Sequence, residues 1–216
     1  MSFDAEAVHM TDPFADLPRG HYGAILADPP WHFAAWSSPT ALETRLRNGS
    51  KNYGSSRGPT YHTMDEAELS ALPVAEIAAE NCVLFMWMCW PTLEQSMRLL
   101  KAWGFTYKTC AFSWMKADQY RLFALEEDVR MGLGYWTRSN NESCLLATRG
   151  KPKRCATDVR QGIIEPIREH SRKPDCVHWR IEKLVGGPYL ELFARAPRTG
   201  WDVWGNETSK FAEAAE

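Results

Sequence analysis

Tyr22-Gly23-Ala24-Ile25-Leu26-Ala27-Asp28-Pro29-Pro30-Trp31 reads as a short apolar strand stopped by two prolines, with an acid at its tip. An acid at the end of a buried strand is costly unless something pairs with it. Asp28 and Pro29 each precede a proline, which drives both toward extended backbone. The prolines themselves fix φ and offer no N–H. The resulting elbow presents a carboxylate, free carbonyls and a flat ring. Such groups accept both hydrogens of an aromatic amine and stack on its ring. A plain strand stop produces the same letters, since Asp-Pro also begins many turns. The surrounding chain has to decide between the two.

Directly after the elbow, residues 32–62 are rich in Ser, Gly, Asn and Pro. Long irregular loops inside a compact domain tend to be functional or disordered. This one carries Arg45, Arg47, Lys51 and Arg57 against a single acid, Glu43, with Trp36 and Tyr53 interleaved. Its place beside Asp28 makes it a candidate nucleic-acid-binding loop, against the plainer reading of a solvated loop.

Order resumes at Thr63-Met64-Asp65-Glu66, a capping-box pattern opening a short helix. Pro73 suits the first turn of a second helix through Glu80. Residues 82–88 form a continuous apolar run, as expected of a strand covered on both faces. Leu93, Met97, Leu100 and Trp103 make a helical stripe opened by Pro91 and closed by Gly104. Further strands are predicted over 107–115, 143–148, 159–164 and 189–194, with a helix opening at Pro174-Asp175 and ending at Gly186-Gly187. The stretch 118–141 is irregular, and its Gly132-x-Gly134 follows no strand, so it is not read as a dinucleotide loop. Arg149, Lys151, Lys153 and Arg154 cluster in what reads first as a turn. Strands alternating with helices predict an α/β domain with a mainly parallel sheet. Ligands in such folds sit beyond the carboxyl ends of the strands, where Asp28, Lys116 and Arg195 are expected.

The whole chain is consistent with one domain over 1–216, with a peripheral 1–20 segment and substrate-side loops at 32–62 and 118–141. Its 216 residues are 44% hydrophobic and 24% charged, and the ten tryptophans leave room for a few to meet a planar ligand. A net charge of −2 argues against binding nucleic acid with the whole surface and leaves a local basic face open. The six cysteines form no C-x-x-C pair, so they are read as reduced packing residues of a cytoplasmic protein, with no zinc expected. The start of the chain lacks the marks of a signal peptide. No apolar run approaches a membrane span.

Taken together, the motifs resemble those of the MT-A70-like adenine-N6 methyltransferases, the family typified by the catalytic subunit of the eukaryotic messenger-RNA methylase, and in particular its bacterial and phage members. The resemblance runs over roughly residues 22–207 and rests on many motifs in one order. They are Asp28-Pro29-Pro30-Trp31, Tyr61-His62-Thr63-Met64, the strand ending near Trp87, Trp103-Gly104-Phe105 and Trp114-x-Lys116. They continue with Gly134-Tyr135-Trp136, His170-Ser171-x-Lys173-Pro174-Asp175, Glu191-Leu192-Phe193-Ala194-Arg195 and Gly200-Trp201-Asp202-x-Trp204-Gly205-Asn206-Glu207.

What the resemblance implies is a Rossmann-like domain that uses S-adenosylmethionine, with the catalytic elbow ahead of the cofactor strand in a permuted motif order. It places the catalytic group at Asp28, Pro29, Pro30 and Trp31. Cofactor contacts are implied at Asp28, His170, Lys173, Glu191, Arg195, Asn206 and Glu207. Lys173 matches a residue at the cofactor's methionine end, and Arg195 and Asn206 match residues near its ribose. Glu207 departs from the pattern of relatives that carry Gln there. No F-x-G-x-G loop follows the last predicted strand. His178 suggests no ligand partner and is read as a helix residue.

The implied reaction is methyl transfer to the exocyclic amine of adenine, in DNA or alternatively RNA, without a metal. A nucleic-acid-binding paralogue without activity is the remaining reading, and it is disfavoured by the intact elbow. The sequence leaves monomer and dimer open. Trp31 is expected to stack on the base, worth about 1–3 kcal/mol. If Arg45, Arg47, Lys51 and Arg57 all neutralise duplex phosphates, they contribute about −3.6 to the log–log salt slope of binding. A quadruple alanine variant measured across a salt series should show a shallower slope; an unchanged slope would remove the loop from the interface.

Overall fold

The computed structural model describes residues 12–31, 63–117, 129–130, 136–169, 172–208 and 210. Residues 1–11, the 32–62 stretch with Trp36, Arg45, Arg47, Lys51, Tyr53 and Arg57, most of 118–135 and His170 lie outside them.

The apolar run ahead of the elbow forms strand β1, Tyr22–Ala27. It pairs in parallel with β2, Ala78–Met88, on one side and with β6, Tyr189–Leu192, on the other. Beyond β2 lies β4, Asn141–Arg149, then β3, Thr106–Ala117, and β5, Gly162–Pro166, while β7, Trp201–Trp204, closes the other edge. The sheet order is β5-β3-β4-β2-β1-β6-β7. Among these seven strands only β4 is antiparallel to its neighbours, β2 and β3; the other strand pairs are parallel. The first residues of β4 therefore lie at the edge where the other strands end.

Successive side chains of a strand point to opposite faces, and here both faces are covered. Ile25 and Ala27 of β1, with Leu84, Met86 and Met88 of β2, join a layer containing Phe14, Leu69, Leu99 and Trp103. Helices α1 (Glu66–Ala71), α2 (Val74–Ile77) and α3 (Leu93–Ala102) supply much of that layer. On the other face Ala24, Leu26, Val83, Phe85 and Trp87 pack with Val177 and Ile181 of α4, Cys176–Leu184. That two-sided burial is why 82–88 carries no polar residue.

Several boundaries differ from the sequence reading. The α1 cap is Asp65, not Thr63: its carboxylate accepts from Glu68 N at 2.8 Å, and the Glu68 carboxylate accepts from Asp65 N at 2.7 Å. The helix predicted through Glu80 is the single turn Val74–Ile77, because Ala78 already pairs with Tyr22 in the sheet. The predicted 159–164 strand lies at Gly162–Pro166. β6 stops at Leu192, where Phe193 turns to a φ of +62°. β7 was not expected; it is four residues between turn-forming neighbours and gains its place by pairing with β6. The basic cluster beginning at Arg149 follows the end of the reversed strand β4 and so lies at the edge opposite the elbow.

Gly23, near the start of β1, is a point of close backbone approach. A Cβ there would stand 2.9 Å from the Gly187 carbonyl oxygen and 3.0 Å from that of Gly186. Gly23→Ala should cost about 1–3 kcal/mol through overpacking, read as a melting temperature lower by about 2–4 °C per kcal/mol. A melting temperature equal to wild type would contradict this packing.

Candidate active site

The elbow leaves β1 at Asp28, whose N–H points to the Leu192 carbonyl at 3.4 Å. Trp31 N–H then donates back to the Pro29 carbonyl at 2.8 Å, with Pro30 between them. A three-residue turn of this kind needs a central φ near −75°, which proline provides. The Pro30 carbonyl accepts from Met64 N–H at 2.9 Å, which ties the elbow to the segment leading into α1. Among the described residues the Pro29 carbonyl is thus half used and keeps one lone pair.

Trp31 is placed differently from its expected role. Its ring is 7% exposed and packs in the first core layer, and its indole N–H donates to the Trp87 carbonyl at 3.3 Å. A buried indole needs such an acceptor. The side chain anchors the elbow to β2, leaving little open face for a base.

Asp28 is met by Lys173, which lies just before α4 and places Nζ 2.7 Å from Oδ2. The same ammonium is 3.4 Å from Glu142 Oε2 and 5.6 Å from the centre of the Trp87 ring. Glu142 also pairs with Lys116 through Oε1. The four groups thus alternate in charge: Asp28, Lys173, Glu142, Lys116. The loop carrying Lys173 is itself held, since Arg168 pairs with Asp175 and donates to the Lys173 carbonyl at 3.0 Å.

Burial acts against charge on Lys173, yet the Asp28 and Glu142 carboxylates outweigh it and hold the ammonium above the usual lysine range. Burial likewise favours the neutral form of Glu142, but Lys173 and Lys116 overcome it and pull the carboxyl below its ordinary value. Both groups stay ionised through the neutral range.

Beside this chain of charges lies a cavity of about 460 Å³. Asp28, Lys173, Glu191 and Arg195 all line it, so the structure brings together four residues from three distant parts of the sequence. Asn206 and Glu207 do not line it. Asn206 is exposed, while Glu207 pairs with Lys210 at 2.7 Å and stands 3.8 Å from Arg195. His178 does line the cavity and contacts Glu191 at 2.8 Å. Glu142 and His178 were both missed as site residues. Nothing in the neighbouring residues marks Glu142, because the direction of β4 is not written in its own sequence; His178 sits in the first turn of α4, from which it reaches Glu191 of β6. Among the described residues, no group of three or more His, Cys, Asp or Glu side chains is arranged to hold a metal ion, and no helix is long and apolar enough to cross a membrane.

The family model described as MT-A70 matches residues 22–207. The chain is 35% identical over 204 residues to the Type II methyltransferase M.MunI of a Mycoplasma, covering 92% of this chain and 82% of that protein. It is 29% identical over 195 residues to a putative N(6)-adenosine-methyltransferase MT-A70-like protein of Medicago truncatula, covering 88% of this chain and 27% of the relative. Identity to the human N(6)-adenosine-methyltransferase catalytic subunit METTL3 is 26% over 197 residues, 87% of this chain and 28% of that one. The chain therefore spans most of the bacterial relative and about a quarter of the plant and human ones.

The shifted groups set a pH window for stability. The Glu142 carboxyl is depressed in the folded state, so its contribution is present above the unfolded value of about 4.3 and fades as the pH falls through the folded value. Lys173 is raised, so its contribution is present below about 10.4 and is lost as the pH rises through the folded value. In Glu142→Gln the loss of stability between pH 7 and pH 3.5, followed by urea unfolding, should be smaller than in wild type. Parallel losses in the two proteins would show that Glu142 is not paired as described.

Proposed function

The chain belongs to the MT-A70 family, and from that premise we propose that it transfers the methyl group of S-adenosylmethionine to the exocyclic amine of adenine in DNA. The observation that carries the reading is a cavity whose lining puts the Asp28 elbow, its Lys173 partner, Glu191 and Arg195 on one ligand-sized space.

The residues present suit this cofactor. Lys173 offers a cation for an amino-acid carboxylate, and Arg195, lining the same cavity, offers donors for the ribose. Glu191 offers an acceptor for an ammonium or for ribose hydroxyls. When bound, S-adenosylmethionine supplies an electrophilic methyl group on a sulfonium.

The amine of adenine is a poor nucleophile because its lone pair is delocalised into the ring. Asp28 corrects this by accepting one N–H of the amine, and the Pro29 carbonyl accepts the other with its remaining lone pair. Two fixed acceptors favour a pyramidal nitrogen, a stabilisation directed at the transition state. Lys173 holds Oδ2 and thereby fixes the carboxylate, while among the described residues Oδ1 has no partner and remains for the base. Fixed acceptors also orient the nitrogen for in-line attack, where positioning contributes most. In a duplex the adenine must leave the stack to reach this pocket. The six cysteines are all free, in keeping with a cytoplasmic enzyme.

DNA is preferred because the bacterial Type II methyltransferase is matched over most of its own length. RNA is the second reading, favoured by the similarity to proteins named N(6)-adenosine-methyltransferases. Whether 1–216 works as a single domain, alone or paired with a second copy, belongs to the same proposal.

Tritiated S-adenosylmethionine offered with single-stranded DNA, duplex DNA and RNA of matched sequence tests the reading. Methyl-adenine should form on DNA, and Asp28→Ala should reduce transfer by about 10²-fold or more. Transfer to RNA alone would move the substrate assignment. Wild-type rates in Asp28→Ala would overturn the mechanism.

A further inference from the structure

We propose that His178 is a positioning residue for the cofactor, acting through Glu191; this rests on the S-adenosylmethionine reading of the cavity. Helix α4 places His178 over β6, with Nε2 2.8 Å from Glu191 Oε2. Their side chains are 12% and 20% exposed, and both line the cavity that holds Asp28 and Lys173. An ionised carboxylate accepts only, so Nε2 is the ring atom that carries the proton. Nδ1 is buried and without a partner among the described residues. Among the described residues the ring therefore serves no second hydrogen bond, and its polar contact is spent on Glu191.

The ring's angle is fixed from outside. It meets Trp201 edge to face, with centroids 5.0 Å apart and planes at 82°. Trp201 in turn stacks on Tyr189 at 4.9 Å and donates its indole N–H to Glu182 Oε1 at 2.7 Å. Helix α4 and strands β6 and β7 thus jointly set one imidazole, and the imidazole sets one carboxylate. Glu191 Oε1 has no partner among the described residues. With Oε2 held, that oxygen can accept a donor of the cofactor in one orientation, without first losing carboxylate rotation on binding. The donor is a ribose hydroxyl or the α-ammonium, two parts of one ligand that present the same hydrogen-bonding chemistry.

Titration calorimetry with S-adenosylhomocysteine, its 2′,3′-dideoxy form and its desamino form separates these donors. In His178→Phe, S-adenosylhomocysteine should bind about tenfold more weakly, the scale of a lost charged hydrogen bond. KM for S-adenosylmethionine should rise by the same factor while kcat moves much less. His178→Gln, whose amide reaches the same place, should recover most of the affinity and guards against a fold defect in the first variant. The His178→Phe effect should disappear for the one analogue that lacks the donor accepted by Glu191, and it should not add to that of Glu191→Gln. Equal weakening toward all three ligands, or additive losses, would overturn the proposal while leaving the cofactor reading intact. Failure of the wild type to bind S-adenosylhomocysteine would overturn both.

Discussion

The site depends on one contact, the 2.7 Å pairing of the Lys173 ammonium with Asp28. A carboxylate at the tip of a buried strand needs a counter-charge, and a lysine just before a helix on the covering face supplies it. The pair is not isolated. Glu142 faces the lysine from the other side, and Lys116 closes the series. Partly buried ion pairs add little net stability, because desolvation offsets much of the attraction. Removing one member is different, since it strands a charge. The arrangement is better understood as a way to fix the direction of one carboxylate oxygen than as a source of fold stability.

The sheet makes that arrangement possible. Parallel strands bring their carboxyl ends to one edge, which accounts for Asp28, Lys116 and the approach of Arg195. The reversed strand β4 adds its opening residues to the same edge, which is how Glu142 arrives beside Lys173. Pro29 and Pro30 then hold the elbow rigid, and Trp31 pins it to β2 through the Trp87 carbonyl. Each device removes a freedom that the acid would otherwise have. Reaction at a poor nucleophile rewards that, because alignment is achieved before the substrate enters.

The parts of the fold written in local pattern were legible in the sequence. β1 and its elbow, the two-sided apolar run of β2 and the stripe of α3 each announce themselves within ten residues or so. Boundaries set by pairing partners were not: Ala78 leaves a helical pattern because Tyr22 lies beside it, and β7 exists because β6 does. The site divides the same way. Asp28, Lys173, Glu191 and Arg195 were named from the sequence and converge on one cavity. Glu142 was hidden by strand direction, which no local pattern encodes. His178 was passed over because its partner is thirteen positions away on a different element. Trp31 was given to the base because an aromatic beside a catalytic acid invites that reading, whereas the core claims its ring.

The most direct test is a crystal structure with bound S-adenosylhomocysteine. The account predicts the sulfur facing the Asp28 carboxylate, with Lys173 and Glu191 in contact with the same ligand. A ligand seated elsewhere, with the Asp28–Lys173 pair untouched by it, would contradict the account at its foundation.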